Sequence, residues 1–527
     1  MVNLIKKGNR GVALILALLV IVTLLILSGI MLGKAVTEYN LIRRNKLLSE
    51  AFYLAEGAVE KSAQQLAYKI ANYLPTPDTL SEGLDISTDF QVSYGWEALS
   101  AEKAITDPYG ITNFVRSFKL SGIATHKQYP DISVTINQII SLEKTYTFQH
   151  AVFYTDDLEM LPGANMTLSG RIHSNKDIYI AVDGSGNTLT VDTNYLYSAG
   201  NIYNKRKDST KDMLGKVKIK IKDTSNYDYM KRPGEIEPLD SERSDWTDES
   251  QARWAGTVKS SVHGIPSLET PVVASIQPDG YYAENAGLKI VNGTAYDSGG
   301  NSVTLPPGTI TESTIYNQRE QKWVTVTNID MINLNASGFF PANGLLYVTR
   351  TDATASQPNG IRIKNGSQLK GPLTVVSNAP VYIQGSYNNN IKKPAAIICD
   401  SLNILSNSWD DAHSQDPNLN NKIASFTEVN TAFISGVDTT TPGNYNGGLE
   451  NYPRLHENWT GKTLKIRGAF VELWDSQIAQ GSWHYGSPYY TAPIRDWNYD
   501  TDFNDSSKLP PFTPFAVKTR KVAWWKE

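Results

Sequence analysis

Hydrophobic residues form an unbroken run near the start of the chain and then recur with a helical period. Residues 11–33 carry no charged side chain, and about 23 residues at roughly 1.5 Å each make a helix long enough to span a membrane. Residues 34–74 contain no proline, and their apolar positions recur at helical spacing, which predicts an amphipathic helix. Pro75 and Pro77 follow, and proline ends a helix because it lacks an amide hydrogen. The pattern therefore predicts one continuous helical rod over residues 11–74.

Short alternating runs replace the helical period after the two prolines. Residues 75–145 contain runs in which apolar and polar residues alternate, as they do in half-buried strands. We predict that these strands form a small domain packed on the helix. In residues 146–527, short apolar runs are separated by Gly, Asn, Asp and Ser turns, with no amphipathic helical pattern. The predicted fold class is mainly β with a long N-terminal α-helix.

Two stretches of the later region echo one another. The stretches "LSGRIHSNKDIYI" at residues 168–180 and "LKGPLTVVSNAPVYI" at residues 369–383 share Leu-x-Gly, then Ser-Asn, then Ile/Val-Tyr-Ile. This repetition predicts a parallel β-solenoid over residues 146–527, because each turn of a solenoid buries its apolar side chains on the next. A β-sandwich is the alternative, although hairpin signals such as Asn-Gly between equal strands are sparse.

Tryptophan and tyrosine are concentrated near the C-terminus. The stretch "GSWHYGSPYYTAPIRDWNYDTDF" at residues 481–503 is followed by a final "VAWWKE". Such side chains can stack on sugar rings or bury at a protein interface, and they can also cap the open end of a solenoid. Prolines in this part indicate a tail that wraps the surface, so we predict that the segment is an aromatic cap.

The apolar run is compatible with three roles: a secretion signal that is removed, a membrane anchor, or a helix that first anchors and later polymerises. The core of a secretion signal is shorter and is followed by small residues at a cleavage point, whereas bulky residues continue here to the end of the run. Lys6, Lys7 and Arg10 precede the run, but Lys34 and Arg43 follow it. Counting positive charges therefore does not choose an orientation.

Two motifs at the N-terminus carry a resemblance to a known family. They are "RGVALI" at residues 10–15 and "LLSEAFYLAEGAVE" at residues 47–60, on either side of the apolar run. This region resembles type IV pilins, specifically the PilX-like minor pilins and the large tip pseudopilins. In that family a prepilin peptidase cuts after the Gly, the new N-terminus is methylated, and the apolar half-helix moves from the membrane into a filament core. The resemblance implies a leader over residues 1–10 and a cut between Gly11 and Val12.

One position departs from the family pattern. Most pilins carry a Glu at the fifth mature position, which is Leu16 in this chain. A carboxylate at the bilayer centre costs about 2.5–3.5 kcal/mol on insertion scales, and in pilins it pairs with the N-terminal amine of a neighbouring subunit. Tip pseudopilins, which have no subunit ahead of them, share the departure. The resemblance therefore implies a tip or priming subunit.

Later segments also carry a resemblance. The stretch "VRSFKLSGIATHKQYPDISVTINQII" resembles the antiparallel strand pair of PilX-like heads, and "GRIHSN" and "KPAAIICDSLNILSNSWDD" resemble segments of large, uncharacterised bacterial pilin-like proteins. The resemblance implies a single-pass membrane protein whose C-terminal region is extracytoplasmic, with incorporation into a filament. Its partners would be the inner membrane, the prepilin peptidase and other pilin or pseudopilin subunits.

Composition narrows the function classes. The chain has 527 residues and a formal net charge of −4, so it has no overall positive field and nucleic acid is not an expected partner. The single cysteine, Cys399, has apolar neighbours, which predicts a buried thiol rather than a reactive nucleophile.

Candidate catalytic groups are few. Asp156 with Asp157, and Asp410 with Asp411, are the carboxylate pairs that glycoside cleavage would need. Neighbouring residues of a strand point to opposite faces, so either pair makes a poor acid and base couple. His173 is expected to bond to the backbone at a corner of the solenoid. We therefore do not expect an enzyme or a cofactor.

One loop is rich in oxygen donors. The loop "SNSWDDAHSQDPNLNN" contains Asp410, Asp411 and Asp416, which are candidate ligands for Ca²⁺. The alternative is a solvated loop whose Asp and Asn residues favour turns. The spacing does not follow the EF-hand pattern.

The expected function is that of a minor pilin-like structural subunit, at the tip or in priming, of a type IV pilus or a type II secretion-like filament. The β-rich region would be displayed at the bacterial surface for adhesion or assembly. Two alternatives stay open: a permanently membrane-anchored surface β-helix protein, and an extracellular carbohydrate-active enzyme.

Overall fold

The N-terminal rod is a single helix. The structure, a computed structural model, describes residues 9–209, 211 and 213–527, and the leader residues 1–8 lie outside that description. Helix α1 spans Asn9–Ala71, which confirms the predicted long helix. It ends a few residues before Pro75 because Tyr73 turns into the left-handed region, with φ of 58°.

An antiparallel sheet, which we call the head sheet, packs against the second half of α1. It contains Thr79–Leu84 (β1), Phe90–Ala98 (β2), Lys103–Thr106 (β3), Thr112–His126 (β4), Ser133–Tyr146 (β5) and the last strand of the chain, Phe515–Lys526. Its order is β1-β2-β4-β5 and then the last strand, with β3 paired to β4. The alternating runs in residues 75–145 thus correspond to real strands.

The last strand corrects the predicted position of the C-terminus. The sequence analysis placed these residues at the end of a domain over residues 146–527, as part of a cap. The structure instead pairs them antiparallel with β5, with Trp524 opposite Gln138 and Trp525 opposite Asn137. This pairing gives hydrogen-bond partners to a long strand that would otherwise be a bare edge. The head sheet therefore combines the strands of residues 79–146 with the strand of residues 515–526.

Small residues bring α1 close to the head sheet. Ala51, Ala55 and Ala58 are fully buried, and a Cβ at Gly122 of β4 would overlap the carbonyl oxygen of Ala55. The Ser62 hydroxyl donates a hydrogen bond of 2.8 Å to a backbone carbonyl of β2. The contact therefore joins helix backbone to strand backbone.

The remaining residues 147–514, which we call the β body, are mostly short strands. The first group is Val152–Tyr154 (β6), Leu158–Met160 (β7), Met166–Ser169 (β8), Ile172–Ser174 (β9), Ile178–Ile180 (β10), Thr188–Asp192 (β11), Leu196–Ser198 (β12), Ile202–Tyr203 (β13), Lys216–Lys220 (β14), Tyr227–Tyr229 (β15) and Val258–Lys259 (β16).

The second group leads to the C-terminus. It is Leu288–Val291 (β17), Thr294–Asp297 (β18), Ser302–Val303 (β19), Ile310–Asn317 (β20), Lys322–Asp330 (β21), Leu345–Thr349 (β22), Asn359–Lys364 (β23), Leu373–Val376 (β24), Val381–Gln384 (β25), Ala395–Cys399 (β26), Leu402–Leu405 (β27), Thr427–Asn430 (β28), Ala432–Ser435 (β29), Arg454–Leu455 (β30), Thr463–Gly468 (β31), Phe470–Glu472 (β32) and Ile494–Tyr499 (β33), followed by the last strand, β34. The described residues of the β body also include three short α-helices: Trp246–Trp254 (α2), Tyr281–Glu284 (α3) and Met331–Ala336 (α4).

Strand pairing in the β body is mostly parallel. The largest sheet has 12 strands in the order β16-β12-β9-β6-β32-β29-β26-β24-β22-β17-β18-β19. The chain enters this sheet in the middle, at β6, and builds outward to β16. It then crosses to the far side at β17 and builds back to β32, which pairs with β6 through Val152 and Phe470. The first and last parts of the β body therefore meet at the centre of the sheet.

The two echoing stretches occupy equivalent places. Ile172–Ser174 and Leu373–Val376 both lie in the large sheet, while Ile178–Ile180 and Val381–Gln384 each lie in a further, parallel-paired sheet. Most of the apolar residues of these strands point into one continuous core, although Val376 and Tyr382 pack in two neighbouring clusters. Cys399 belongs to this core and is fully buried, which confirms the prediction of a buried thiol.

Candidate functional site

The first half of α1 is almost free of contacts with the rest of the chain. Only near its end do Arg43, which donates to the Tyr129 hydroxyl at 3.1 Å, and Arg44, which pairs with Asp131 at 3.5 Å, reach the head region. Residues 11–46, which we call the bare half-helix, are all exposed, including Leu14 and Leu25 at 71% and 67%. Within the described residues, α1 is the one helix long and apolar enough to cross a membrane. An apolar surface of this length requires lipid or protein around it.

The Thr23 hydroxyl, in the apolar part of the bare half-helix, is satisfied within the helix. It donates to the carbonyl oxygen of Leu19 at 2.8 Å. Gly11, Val12 and Leu16 all lie in the helical segment, where Val12 and Leu16 are exposed and separated by one turn. The surface that residues 11–33 offer to a bilayer or to neighbouring helices therefore carries no charge and is predominantly apolar.

The candidate calcium ligands do not converge. Asp411 forms an ion pair with Arg362 at 2.5 Å. Burial raises the pKa of Asp411, but the hydrogen bonds and charge of Arg362 and the hydrogen bond from Trp409 together lower it below its ordinary value. Asp410 accepts from the amide of Ala412 at 3.0 Å, and Asp416 accepts from the amide of Asn418 at 2.8 Å.

No group of three His, Cys, Asp or Glu side chains in the described residues is placed to hold a metal ion. The three aspartates are therefore not gathered into such a group, and each carboxylate already accepts from a protein donor. The alternative interpretation, a loop whose Asp and Asn residues form turns, accounts for the contacts that the loop makes.

The other carboxylate pair lies at a cavity. Asp156 and Asp157 border a cavity of about 220 Å³, which we call the acidic cavity. Asp156 forms an ion pair with Lys176, and Asp157 forms one with Lys207 at 2.7 Å. Both aspartates are therefore paired with lysines, and neither is set up as an isolated acid or base.

Two buried glutamates at the same cavity escaped the sequence analysis. Glu472 is buried, which raises its pKa to about 8, and its carboxylate accepts from the amides of Thr155 and Asp156 at 2.9 and 3.1 Å. Burial likewise raises the pKa of Glu159 to about 7. Both glutamates sit in strands of three residues that are entirely buried. A glutamate inside a short apolar run was the signal that could have identified them.

His173 has a structural role, but not the predicted one. It lies within β9 rather than at a corner, and its partners are side chains: Asn175 at 3.1 Å and Tyr195 at 3.4 Å. Its ring also stacks on Phe153 at 5.3 Å. Burial lowers the pKa of His173 to about 4. The imidazole is therefore neutral and fixed in place.

Part of the aromatic C-terminal segment lines a second cavity. This aromatic cavity, of about 410 Å³, is bordered by Tyr445, Trp483, Tyr485 and Tyr490. The indole of Trp483 donates to the hydroxyl of Tyr490 at 3.0 Å and meets Tyr445 edge-on at 5.4 Å. The sequence analysis identified these residue types but placed them in a cap.

The fold defines a broad class of protein, with one exposed apolar N-terminal helix joined to a large β-rich body. Comparisons of the chain with models of protein families, with curated proteins and with solved structures find no match. Function is therefore inferred from the residues and geometry of the chain itself.

Proposed function

We propose that the chain is a minor, tip or priming, pilin-like subunit of a type IV pilus or type II secretion-like filament. The observation that carries this proposal is the division of α1 into two halves with opposite surroundings. Residues 11–46 are exposed, whereas the later part of the helix buries alanines against an antiparallel sheet. This arrangement suits a helix that is held in a membrane first and in a bundle of like helices afterwards.

The bare half-helix fits both environments. Its apolar side chains and internally bonded hydroxyl meet the requirement that polar groups in lipid be satisfied within the segment. In a filament the same side chains would pack on the helices of other subunits. With Leu16 at the fifth mature position, residues 11–33 contain no carboxylate, so this apolar part has no group to pair with the N-terminal amine of a subunit ahead of it. This supports a position at the tip.

The β body is proposed to be a β-solenoid. Parallel ladders whose apolar side chains share one core are what stacked turns would produce. Both connections between the β body and the head sheet, after β5 and before β34, lie beside one another because these two strands are paired. The body is thus held to the head by two lengths of chain.

Further contacts fix the body to the end of α1. Tyr73 stacks on Tyr281 with ring centres 3.8 Å apart, and the side chain of Asn72 accepts from the amide of Val272 at 2.8 Å. Glu269 pairs with Val517 of the last strand. A body attached at the helix end and at the sheet edge suits display on a filament, where a pull on the body must reach the helix. We propose that this display serves adhesion or assembly.

The proposed location is the cell membrane before assembly, with the C-terminal region outside the cytoplasm, and an extracellular filament afterwards. A permanently anchored surface protein would use the same helix but would keep its leader. The mass of the mature N-terminus separates the two.

The test is mass spectrometry of the protein purified from cells that contain a prepilin peptidase. We expect a chain that begins with N-methylated Val12. A Gly11→Leu variant should retain its leader, while Gly57→Ala, a matched change later in the same helix, should be processed normally. An intact Met1 in cells that process other prepilins would refute the filament proposal.

A further inference from the structure

The acidic and aromatic cavities are neighbours. Arg206 borders the aromatic cavity and Lys207, the next residue, borders the acidic one. In the same way Tyr445 borders the aromatic cavity and Asn446 the acidic one. The chain segments that carry these residue pairs therefore lie between the two cavities and border both. They lie where the first and last parts of the β body meet.

Two buried polar atoms at the acidic cavity lack partners. Glu159 is 2% exposed, and its Oε2 atom has no hydrogen-bond partner among the described residues. Tyr154 is 3% exposed, and its hydroxyl likewise has none among them. Leaving buried polar groups unpaired is costly, so native structures supply such atoms with protein, water or ligand partners. Both residues line the cavity. The two atoms themselves are almost closed to solvent, so a ligand in the cavity would reach them through a small shift of the neighbouring side chains.

These two atoms call for a partner that both donates and accepts. An ionised Glu159 accepts hydrogen bonds, and the Tyr154 phenol has a proton to donate. A hydroxyl group can satisfy both, whereas a metal ion cannot accept from a phenol. The cavity, at about 220 Å³, holds much more than one water, whose share of liquid volume is about 30 Å³. A ligand with several hydroxyls therefore fits better than a single bridging water.

Charge at the acidic cavity disfavours anionic ligands. Its lining carries six acidic side chains and two lysines, and burial raises the pKa of two of the acids, Glu159 and Glu472, so the negative charge comes mainly from the four aspartates. Lys176 and Lys207 are already paired with Asp156 and Asp157, so neither is available to a ligand carboxylate or phosphate. A neutral ligand avoids the repulsion.

The aromatic cavity supplies the second element of sugar recognition. Tyr485 is 58% exposed and meets Tyr490 edge-on at 5.5 Å, and Trp483 is held by its bond to Tyr490. Aromatic rings have an apolar body that packs on the C–H face of a sugar ring. Stacking surfaces beside a cavity with hydroxyl-binding groups provide both kinds of contact that a sugar needs.

We propose that the two cavities together form a binding cleft for a neutral oligosaccharide. Glu159 and Tyr154 bind hydroxyl groups of one sugar unit, and Trp483 and Tyr485 stack on the neighbouring units. The inference that this cleft provides the ligand of a displayed body rests on the proposed function. Its chemistry does not depend on how the N-terminal helix is processed.

The test is titration calorimetry on the full chain in a detergent that carries no sugar. The probes are maltotetraose, cellotetraose and mannotetraose, with trigalacturonate as the anionic comparison. We expect at least one neutral tetrasaccharide to bind and trigalacturonate not to bind. Tyr485→Ala should weaken binding at least about tenfold, which corresponds to about 1.4 kcal/mol.

Further variants separate the cleft from general effects on folding. Glu159→Gln keeps the shape of the side chain and should also weaken binding about tenfold, because the amide nitrogen cannot accept a hydrogen bond. Trp323→Ala removes an aromatic residue that is 42% exposed and borders neither cavity, and it should leave binding unchanged. Circular dichroism and thermal unfolding identify any variant that fails to fold. If Tyr485→Ala fails to fold, Tyr485→Leu, which keeps an apolar side chain but removes the ring, replaces it as the test of stacking.

Three results would overturn the proposal: no binding of any neutral tetrasaccharide at about 10 mM, equal binding by all folded variants, or trigalacturonate binding as tightly as the neutral probes. The N-terminal mass of the same preparation is read separately. A processed N-terminus without sugar binding refutes the cleft alone, and sugar binding by an unprocessed chain refutes the filament proposal alone.

Discussion

The close contact between α1 and the head sheet can be tested by adding one methyl group. Gly122 of β4 faces the backbone of α1. A Cβ at this position would overlap the carbonyl oxygen of Ala55 and would lie 2.9 Å from both the amide nitrogen and the Cγ2 atom of Val59. Two of these three atoms belong to the helix backbone, so the overlap cannot be relieved by a change of rotamer. Gly122→Ala must therefore move the helix away from the sheet.

The expected cost follows from these contacts. Overpacking in a well-packed core costs about 1–3 kcal/mol, and a clash with backbone belongs at the upper end of that range. Replacing glycine by alanine also restricts the unfolded chain, which contributes about 0.4–1 kcal/mol in the opposite direction. We expect Gly122→Ala to destabilise the docked part of α1 by about 2 kcal/mol, which is about a 30-fold change in its opening equilibrium.

Hydrogen exchange measures this opening directly. In Gly122→Ala, amide protection in residues 47–71 should fall about 30-fold. Gly83→Ala is the matched control, because no described atom lies within 4 Å of its added Cβ, and protection there should not fall. Equal protection in the two variants would refute the proposed close docking of α1 on β4.

Three further predictions concern the C-terminal strand and two buried charges. Deletion of residues 515–527 should leave β5 as a bare edge, which we expect to lower protection in β5 and to promote aggregation, measured by hydrogen exchange and light scattering. Burial raises the pKa of Glu472 to about 8 in the folded state, whereas in the unfolded state this carboxyl should have its ordinary, lower pKa. Between about pH 5 and 8 the folded state therefore binds a proton that the unfolded state does not, so the free energy of unfolding should fall as the pH rises through this range. Glu472→Gln should reduce this fall in chemical denaturation, and an unchanged slope would contradict the assigned burial. Asp411→Asn should cost about 3 kcal/mol in the same assay, because Arg362 is 2% exposed and would lose its charged partner; Asp410→Asn, at an exposed turn, should cost less than about 1 kcal/mol.

The long helix was predictable because its signals are local. An uncharged run and a helical spacing of apolar residues are visible within any window of the first 74 residues, and they do not depend on distant parts of the chain. The helix ends at Ala71, slightly earlier than the predicted residue 74, because the left-handed conformation of Tyr73 stops it before Pro75. Boundaries depend on single residues and are harder to predict than the existence of the element.

The position of the last strand was not predictable from periodicity. Trp524 and Gln138 are partners in the head sheet, yet they are separated by most of the chain. Local patterns indicate that both segments are strands, but they contain no information on which strands pair. The same limit applies to the order of the large sheet, where β32 returns to lie beside β6.

The candidate site was predicted only in part. Asp156 and Asp157 were considered as a carboxylate pair for glycoside cleavage and judged a poor acid and base couple, and the structure places both at the border of the acidic cavity. Glu159 and Glu472 were missed because the search looked for adjacent acidic pairs rather than for acids inside apolar runs. The three aspartates of the calcium prediction lie close together in sequence, but their side chains bond to other groups. Spacing alone could not show that Arg362, from a distant strand, pairs with Asp411.

The central claim is that the bare half-helix ends up among like helices of other subunits. Photo-cross-linking tests it most directly, with a photoreactive residue placed at Leu18 or Leu25, which are 63% and 67% exposed. In the filament fraction sheared from cells, we predict cross-links to the N-terminal helices of other pilin-type subunits, while the same residue in the membrane fraction should react with lipid. Cross-links to lipid alone, with the chain lacking from the filament fraction, would contradict the account.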